Sequence, residues 1–191
     1  RKSQWIVLLI FSYLYYIAGG PRYVVFILFS TLVTWLMALL IEKAEGKENH
    51  KGARKLLILG LILNFGMLGI VKYTNFAVEN INALLHLNLR GIQLLLPLGI
   101  SFYTFQSSGY LLDVYWKRCK AERHPLKYAL FVSFFPQILQ GPIGRYSRLA
   151  DQLYAEHRFE GNNIIRGFER ILWGFFKKMI LADWAAVFAD A

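Results

Sequence analysis

Apolar residues in this chain come in unbroken runs of bilayer length, and that narrows its fold more than anything else. Tyr23–Ile41 and Leu56–Val71 contain no charged side chain. A helix rising about 1.5 Å per residue needs roughly twenty apolar residues to cross the hydrocarbon of a membrane. The composition agrees: 56% of the 191 residues are apolar, 18% are charged and the mean hydropathy is +0.37. Soluble domains carry about 25% charged residues. The reading is an all-α integral membrane chain, a multi-span helical bundle in the cell membrane.

Four spans are expected, over 5–18, 23–41, 56–71 and 97–116. Gly19-Gly20-Pro21 separates the first two, because glycine is flexible and proline lacks a donor. A charged loop is expected from Glu42 to Lys55, and a mixed stretch of interfacial helix and loop from Lys72 to Leu96. Gly60, Gly66 and Gly69 offer close helix contacts on the third span. Pro97 reads as the first residue of the fourth span, where its missing N–H costs nothing. The apolar segment that follows is short and contains Pro136, so a re-entrant path over about 129–142 fits it better than a crossing. Ile164, Phe168, Ile171, Leu172, Phe175 and Met179 recur at helical spacing among Arg166, Arg170, Lys177 and Lys178. They predict an amphipathic or membrane helix over 163–190.

The net charge of +10 is distributed in the same terms. Lys43, Lys47, Lys51, Arg54 and Lys55 follow the second span, and Lys117, Arg118, Lys120, Arg123 and Lys127 follow the fourth. The intervening turns are poor in basic residues. This alternation places the rich loops in the cytoplasm and argues against nucleic-acid binding, for which the charge would line one polar face. Cys119 is the sole cysteine, so there is no intrachain disulfide. The sequence starts at Arg1 and ends at Ala191 within an apolar pattern, and both ends read as cut.

Two stretches are chemically unusual. On the 97–116 helix, Tyr103, Gln106, Tyr110 and Asp113 share a face, with Ser107 at its edge. Polar groups in a membrane helix are costly and turn toward protein or a watery cavity. They could form a tunnel wall, or they could make interhelical hydrogen bonds with Asp113 reaching the interface. The second stretch is Phe134-Phe135-Pro136-Gln137-Ile138-Leu139-Gln140-Gly141-Pro142-Ile143-Gly144-Arg145. Its prolines and glycines free backbone groups that Gln137 and Gln140 could satisfy, and Arg145 could meet an anionic headgroup or a phosphate-bearing donor. His50, His86, His124 and His157 all lie outside apolar spans, without metal-ligand spacing. Ser101, Ser107 and Ser108 lack a G-x-S-x-G setting, and there is no phosphate-binding glycine loop.

Several of these stretches, in order, resemble the membrane-bound O-acyltransferase family. Leu96-Pro97-Leu98-Gly99-Ile100-Ser101-Phe102-Tyr103-Thr104-Phe105-Gln106, with Tyr110-Leu111-Leu112-Asp113-Val114-Tyr115, is similar to its first signature. Phe134-Phe135-Pro136-Gln137, with Gly141-Pro142-Ile143 and Arg145, is similar to the second. Gly174-Phe175-Phe176-Lys177-Lys178-Met179-Ile180-Leu181-Ala182-Asp183 is similar to the third. Gly19-Gly20-Pro21-Arg22-Tyr23 and Lys72-Tyr73-Thr74-Asn75-Phe76 also fit in order and spacing. The nearest branch is the bacterial one of alginate O-acetylation and D-alanyl transfer to teichoic acid.

That resemblance implies a ring of transmembrane helices around a tunnel, of which this chain forms part. It implies acyl transfer from a cytoplasmic thioester donor, acetyl-CoA in the alginate-like branch, to a hydroxyl of a cell-surface polysaccharide. A separate extracytoplasmic acetyltransferase often acts as partner. Tyr103, Gln106, Asp113, Gln137 and Arg145 become candidates for the tunnel and donor entrance. The family's catalytic histidine is expected beyond Ala191, so none of the four histidines here inherits its role, and residues 1–191 alone are expected to be inactive. The rival readings are a small transporter or channel, which would pass solute without an acyl donor, and a scaffold, in which Gln106 and Asp113 would matter only for stability.

Overall fold

The computed structural model describes residues 4–85, 96–138, 141 and 143–185, and every regular element among them is helical. The chain divides into two compact units, 1–155 and 156–191.

In the first unit, α1 (Gln4–Ala18) is followed by a tight 3₁₀ turn at Pro21–Tyr23 and then α2 (Val24–Glu45). After α3 (His50–Leu85) comes α4 (Ile100–Tyr115). Three short helices complete the unit: α5 (Pro125–Ser133), α6 (Phe135–Ile138) and α7 (Tyr146–Tyr154). Helix α2 with its preceding turn, and α3, are long and apolar enough to cross a membrane. Helices α2, α3 and α4 pack against one another, and α5 packs against α1, α2, α4 and α7. Every residue of α5 from Tyr128 to Ser133 is buried.

The predicted charged loop over 42–55 shrinks to a turn at 46–49. Helix α2 runs on through Glu42 and Glu45, whose carboxylates bind side chains from the 117–123 loop, and α3 begins at His50. The stretch from Lys72 is likewise helical as far as Leu85. Thr74 Oγ1 donates to the Ile70 carbonyl, and Asn80 Nδ2 to that of Phe76 at 2.7 Å. These polar side chains bond the helix they sit on rather than break it. The remainder of that stretch, 86–95, lies outside the described residues. Of the three glycines expected to offer helix contacts, Gly60 alone does so: a Cβ there would come 2.8 Å from Leu111 Cδ1, whereas Gly66 and Gly69 face open space.

Two irregularities position the rest. Pro97 precedes the fourth helix instead of opening it. Gly99 caps α4 at φ 67°, a left-handed conformation that side chains resist, and a Cβ there would clash with the Ile138 carbonyl. The first two signatures therefore meet at backbone contact. The break in the proline segment falls at Phe134 (ψ 105°), ahead of Pro136, which sits in the first turn of α6 where no N–H is needed. Of the carbonyls freed at the end of α5, that of Phe131 accepts from Gln106 Nε2 at 3.0 Å. The Phe135 N–H donates to Ser12 Oγ at 3.3 Å.

In the second unit, α8 (Gly161–Phe176) continues through a π-helical stretch, Lys177–Ala182. The predicted apolar face from Ile164 to Met179 is exposed along its length.

Candidate functional site

Helix α4 supplies one wall of a cavity of about 260 Å³ through Gln106, Gly109, Tyr110, Leu112 and Asp113. Trp116 and Arg118 extend that wall beyond the helix end, and Ile143, Gly144, Arg145 and Tyr146 face it. Three of the five residues singled out from sequence, Gln106, Asp113 and Arg145, thus line one space. Gln137 stands behind it: its amide nitrogen would lie 2.6 Å from a Cβ on Gly144, so its side chain backs the cavity wall. Tyr103 does not reach the cavity. It lies nearly a turn earlier on the same stripe, fully buried, with the Tyr16 phenol as its polar neighbour.

The cavity mixes apolar and charged groups, as small-molecule sites do. Asp113 lies 3.6 Å from Arg118, whose guanidinium also stacks 4.6 Å from the Trp116 ring. Arg145 is exposed at the rim, and no carboxylate lies within ion-pair distance of it among the described residues. The cavity therefore carries one paired and one uncommitted guanidinium, the planar fork that recognises phosphate and carboxylate. Gln106 is committed to the Phe131 carbonyl, so it braces the wall as well as lining it.

Residues beyond the five candidates hold this geometry. Tyr110 and Tyr146 pack with ring centroids 4.8 Å apart, and Phe131 meets Tyr146 edge-on at 5.0 Å. The Tyr146 hydroxyl donates to Glu122 Oε2 at 2.6 Å, and the Glu122 N–H donates to the Tyr110 hydroxyl at 2.8 Å. Burial pushes the Tyr146 phenol well above its ordinary range, so it remains a donor. Glu42 accepts from the Ala121 N–H at 3.1 Å and pairs with Arg123, while Glu45 pairs with Lys117 at 3.1 Å. The His50 hydrogen bond, then Lys117, holds the Glu45 carboxyl below the usual carboxylate range. These acids bind the basic 117–123 loop onto the ends of α2 and α4. Nothing in their sequence context marked them out, because acids within basic loops look like ordinary solvated charge.

His50 and His124 do not line the cavity. His50 bridges to Glu45 at 2.9 Å, His124 meets the Trp5 ring at 5.4 Å, His157 lies in the stretch before α8, and His86 lies outside the described residues. No metal-binding cluster occurs among the described residues. A larger groove of about 530 Å³ between α1, α2 and α5 is walled by residues such as Leu9, Leu14, Leu28, Leu32 and Leu126. It offers a polar ligand almost nothing to bind.

Over its whole length the chain is 35% identical to a probable alginate O-acetylase AlgI of Pseudomonas syringae pv. tomato, covering 37% of that protein. The corresponding protein of Pseudomonas aeruginosa is 34% identical, again over the whole chain and 37% of the relative. A peptidoglycan O-acetyltransferase of Helicobacter pylori is 34% identical over 97% of the chain and 39% of its own length. Along its whole length the chain matches the alginate and peptidoglycan O-acetylating proteins of the membrane-bound O-acyltransferase family. It spans less than two fifths of the length of these relatives. No family model matches the chain, and no solved structure matches it. Family and helices together assign it to a membrane.

Proposed function

We propose that this chain forms the donor-entrance part of a multi-pass plasma-membrane O-acetyltransferase that modifies a cell-surface polysaccharide. The acyl group comes from a cytoplasmic thioester, acetyl-CoA, which enters at the cavity between α4 and residues 143–146. The observation that carries this reading is the convergence of Gln106 and Asp113 from the first signature and Arg145 from the second on one cavity beside the basic loop. Arg145 and Arg118 suit the phosphates of such a donor, and Trp116 offers a face for stacking.

In this reading α1 to α4 are spans and form part of a ring. The broken 129–142 segment is re-entrant: its first helix is buried in protein from Tyr128 to Ser133, and Gln106 meets the Phe131 carbonyl near the break, as backbone freed at membrane depth requires. Gln137 supports the entrance from behind, and Tyr103 lies deeper along the path. The catalytic histidine comes from sequence outside these 191 residues, and a partner acetyltransferase completes transfer outside the cell. The similarity to alginate and peptidoglycan O-acetylating proteins supports a polysaccharide acceptor.

The test is acetyl incorporation into surface polysaccharide by cells that express this protein from its own gene, with the acetyl group of acetyl-CoA labelled. Arg145→Ala should lower incorporation about tenfold or more at unchanged membrane abundance, the size of a lost charge-assisted contact. Unchanged incorporation would overturn the donor-entrance assignment.

A further inference from the structure

We propose that Glu122, in the loop between α4 and α5, is a positioning residue for donor binding, because it fastens both cavity tyrosines to the basic loop. This rests on the acyl-transfer reading above.

Glu122 is tied to four elements. Its Oε2 accepts from the Tyr146 hydroxyl at 2.6 Å at the start of α7, and its N–H donates to the Tyr110 hydroxyl at 2.8 Å on α4. Its carbonyl accepts from Trp35 Nε1 at 2.8 Å on α2, and its Oε1 accepts from the His124 N–H at 2.9 Å, next to the first residue of α5. Tyr110 and Tyr146 both line the cavity, on opposite walls. The carboxylate itself does not line it, so Glu122 acts through the tyrosines. The geometry has a definite consequence. Without the carboxylate the Tyr146 hydroxyl loses its acceptor, and the wall bearing Arg145 is no longer held against the wall bearing Asp113. Glu42 and Glu45 still tether the loop through Ala121, Arg123 and Lys117, so removing Glu122 loosens one side of the loop without releasing it.

Cys119, the one cysteine of these 191 residues, reports the loop directly when its own peptide is followed. It is half-buried in this segment, and burial pushes its thiol up to about 11, so it alkylates slowly while the loop is seated.

The experiment uses the protein expressed from its own gene in isolated membranes, as wild type, Glu122→Ala, Glu122→Gln and Tyr146→Phe. Acetyl-CoA kinetics are read beside the rate of Cys119 alkylation by a maleimide. Glu122→Ala should raise KM for acetyl-CoA about tenfold with kcat within about twofold, and should speed alkylation severalfold. Tyr146→Phe, which keeps the ring packing, should reproduce the KM rise. Glu122→Gln, which keeps an acceptor for Tyr146, should restore KM to within about threefold of wild type. Faster alkylation with unchanged KM would overturn the proposal and leave Glu122 as a clamp on the fold. An equal fall in kcat with KM unchanged would overturn it too. If wild type uses no acetyl-CoA while Glu122→Ala still speeds alkylation, the acyl-transfer reading fails and the coupling of Glu122 to the loop stands.

Discussion

Helices α3 and α4 lie side by side, and each carries polar residues among apolar ones, yet they use them in opposite ways. Asn64 on α3 is closed. Its Oδ1 accepts from Ser30 at 2.6 Å, and its Nδ2 donates to Thr34 at 3.0 Å and to the Gly60 carbonyl at 2.9 Å, all of them buried. Asp113 on α4 is open: it borders a cavity and meets Arg118 only at 3.6 Å. A polar residue in an apolar helix is costly in either place. On α3 that cost is offset within a helix pair, which is a packing role. On α4 it is met by charged groups around a space, which is what a binding role requires.

The largest test of this contrast is Gly99→Ala. The left-handed φ and the Ile138 carbonyl both exclude a Cβ, so destabilisation of about 3 kcal/mol or more is expected from strain plus clash. Thermal unfolding in detergent would show it as a loss of folded protein at ordinary temperature. A variant of near wild-type stability would mean that α4 and α6 do not meet as described, and the cavity would lose its frame.

A paired substitution sharpens the contrast further. Asn64→Leu should cost about 1 kcal/mol, the size of interhelical hydrogen bonds in membrane proteins, and leave acetyl-CoA use per folded molecule unchanged. Asp113→Ala should do the reverse, changing stability by less than about 0.5 kcal/mol and weakening acetyl-CoA use severalfold. Unfolding and steady-state kinetics on the same preparations decide it. Equal effects on both properties from both variants would erase the distinction between closed and open polar groups.

Periodicity made part of this legible. Gln106, Tyr110 and Asp113 recur at helical spacing, so their shared face follows from the residues alone. The same rule included Tyr103, because periodicity gives a face but not a depth along it. Arg145 joined them through the family signatures, whereas its position opposite Asp113 depends on how the chain returns after α5, which no local pattern states. The break near Pro136 was visible, but its position at Phe134 reflects the rescue of freed carbonyls by Gln106 on another helix. Glu42, Glu45 and Glu122 were hidden for a related reason. Counting basic residues gives the orientation of a loop and says nothing about which acids hold it.

The most direct test of the central claim uses a cysteine placed in the cavity. Gly109 lines it, and a Cβ there meets nothing within 4 Å, so Gly109→Cys in a Cys119→Ser background puts a thiol in the space without distorting it. Gly46→Cys, exposed on the turn between α2 and α3 where a Cβ makes only ordinary contacts, provides the comparison. Labelling by a charged, water-soluble thiol reagent is followed with and without saturating acetyl-CoA. The donor-entrance account predicts that acetyl-CoA protects the thiol at position 109 and has no effect at position 46. Labelling of position 109 at the same rate in the presence of acetyl-CoA would contradict it.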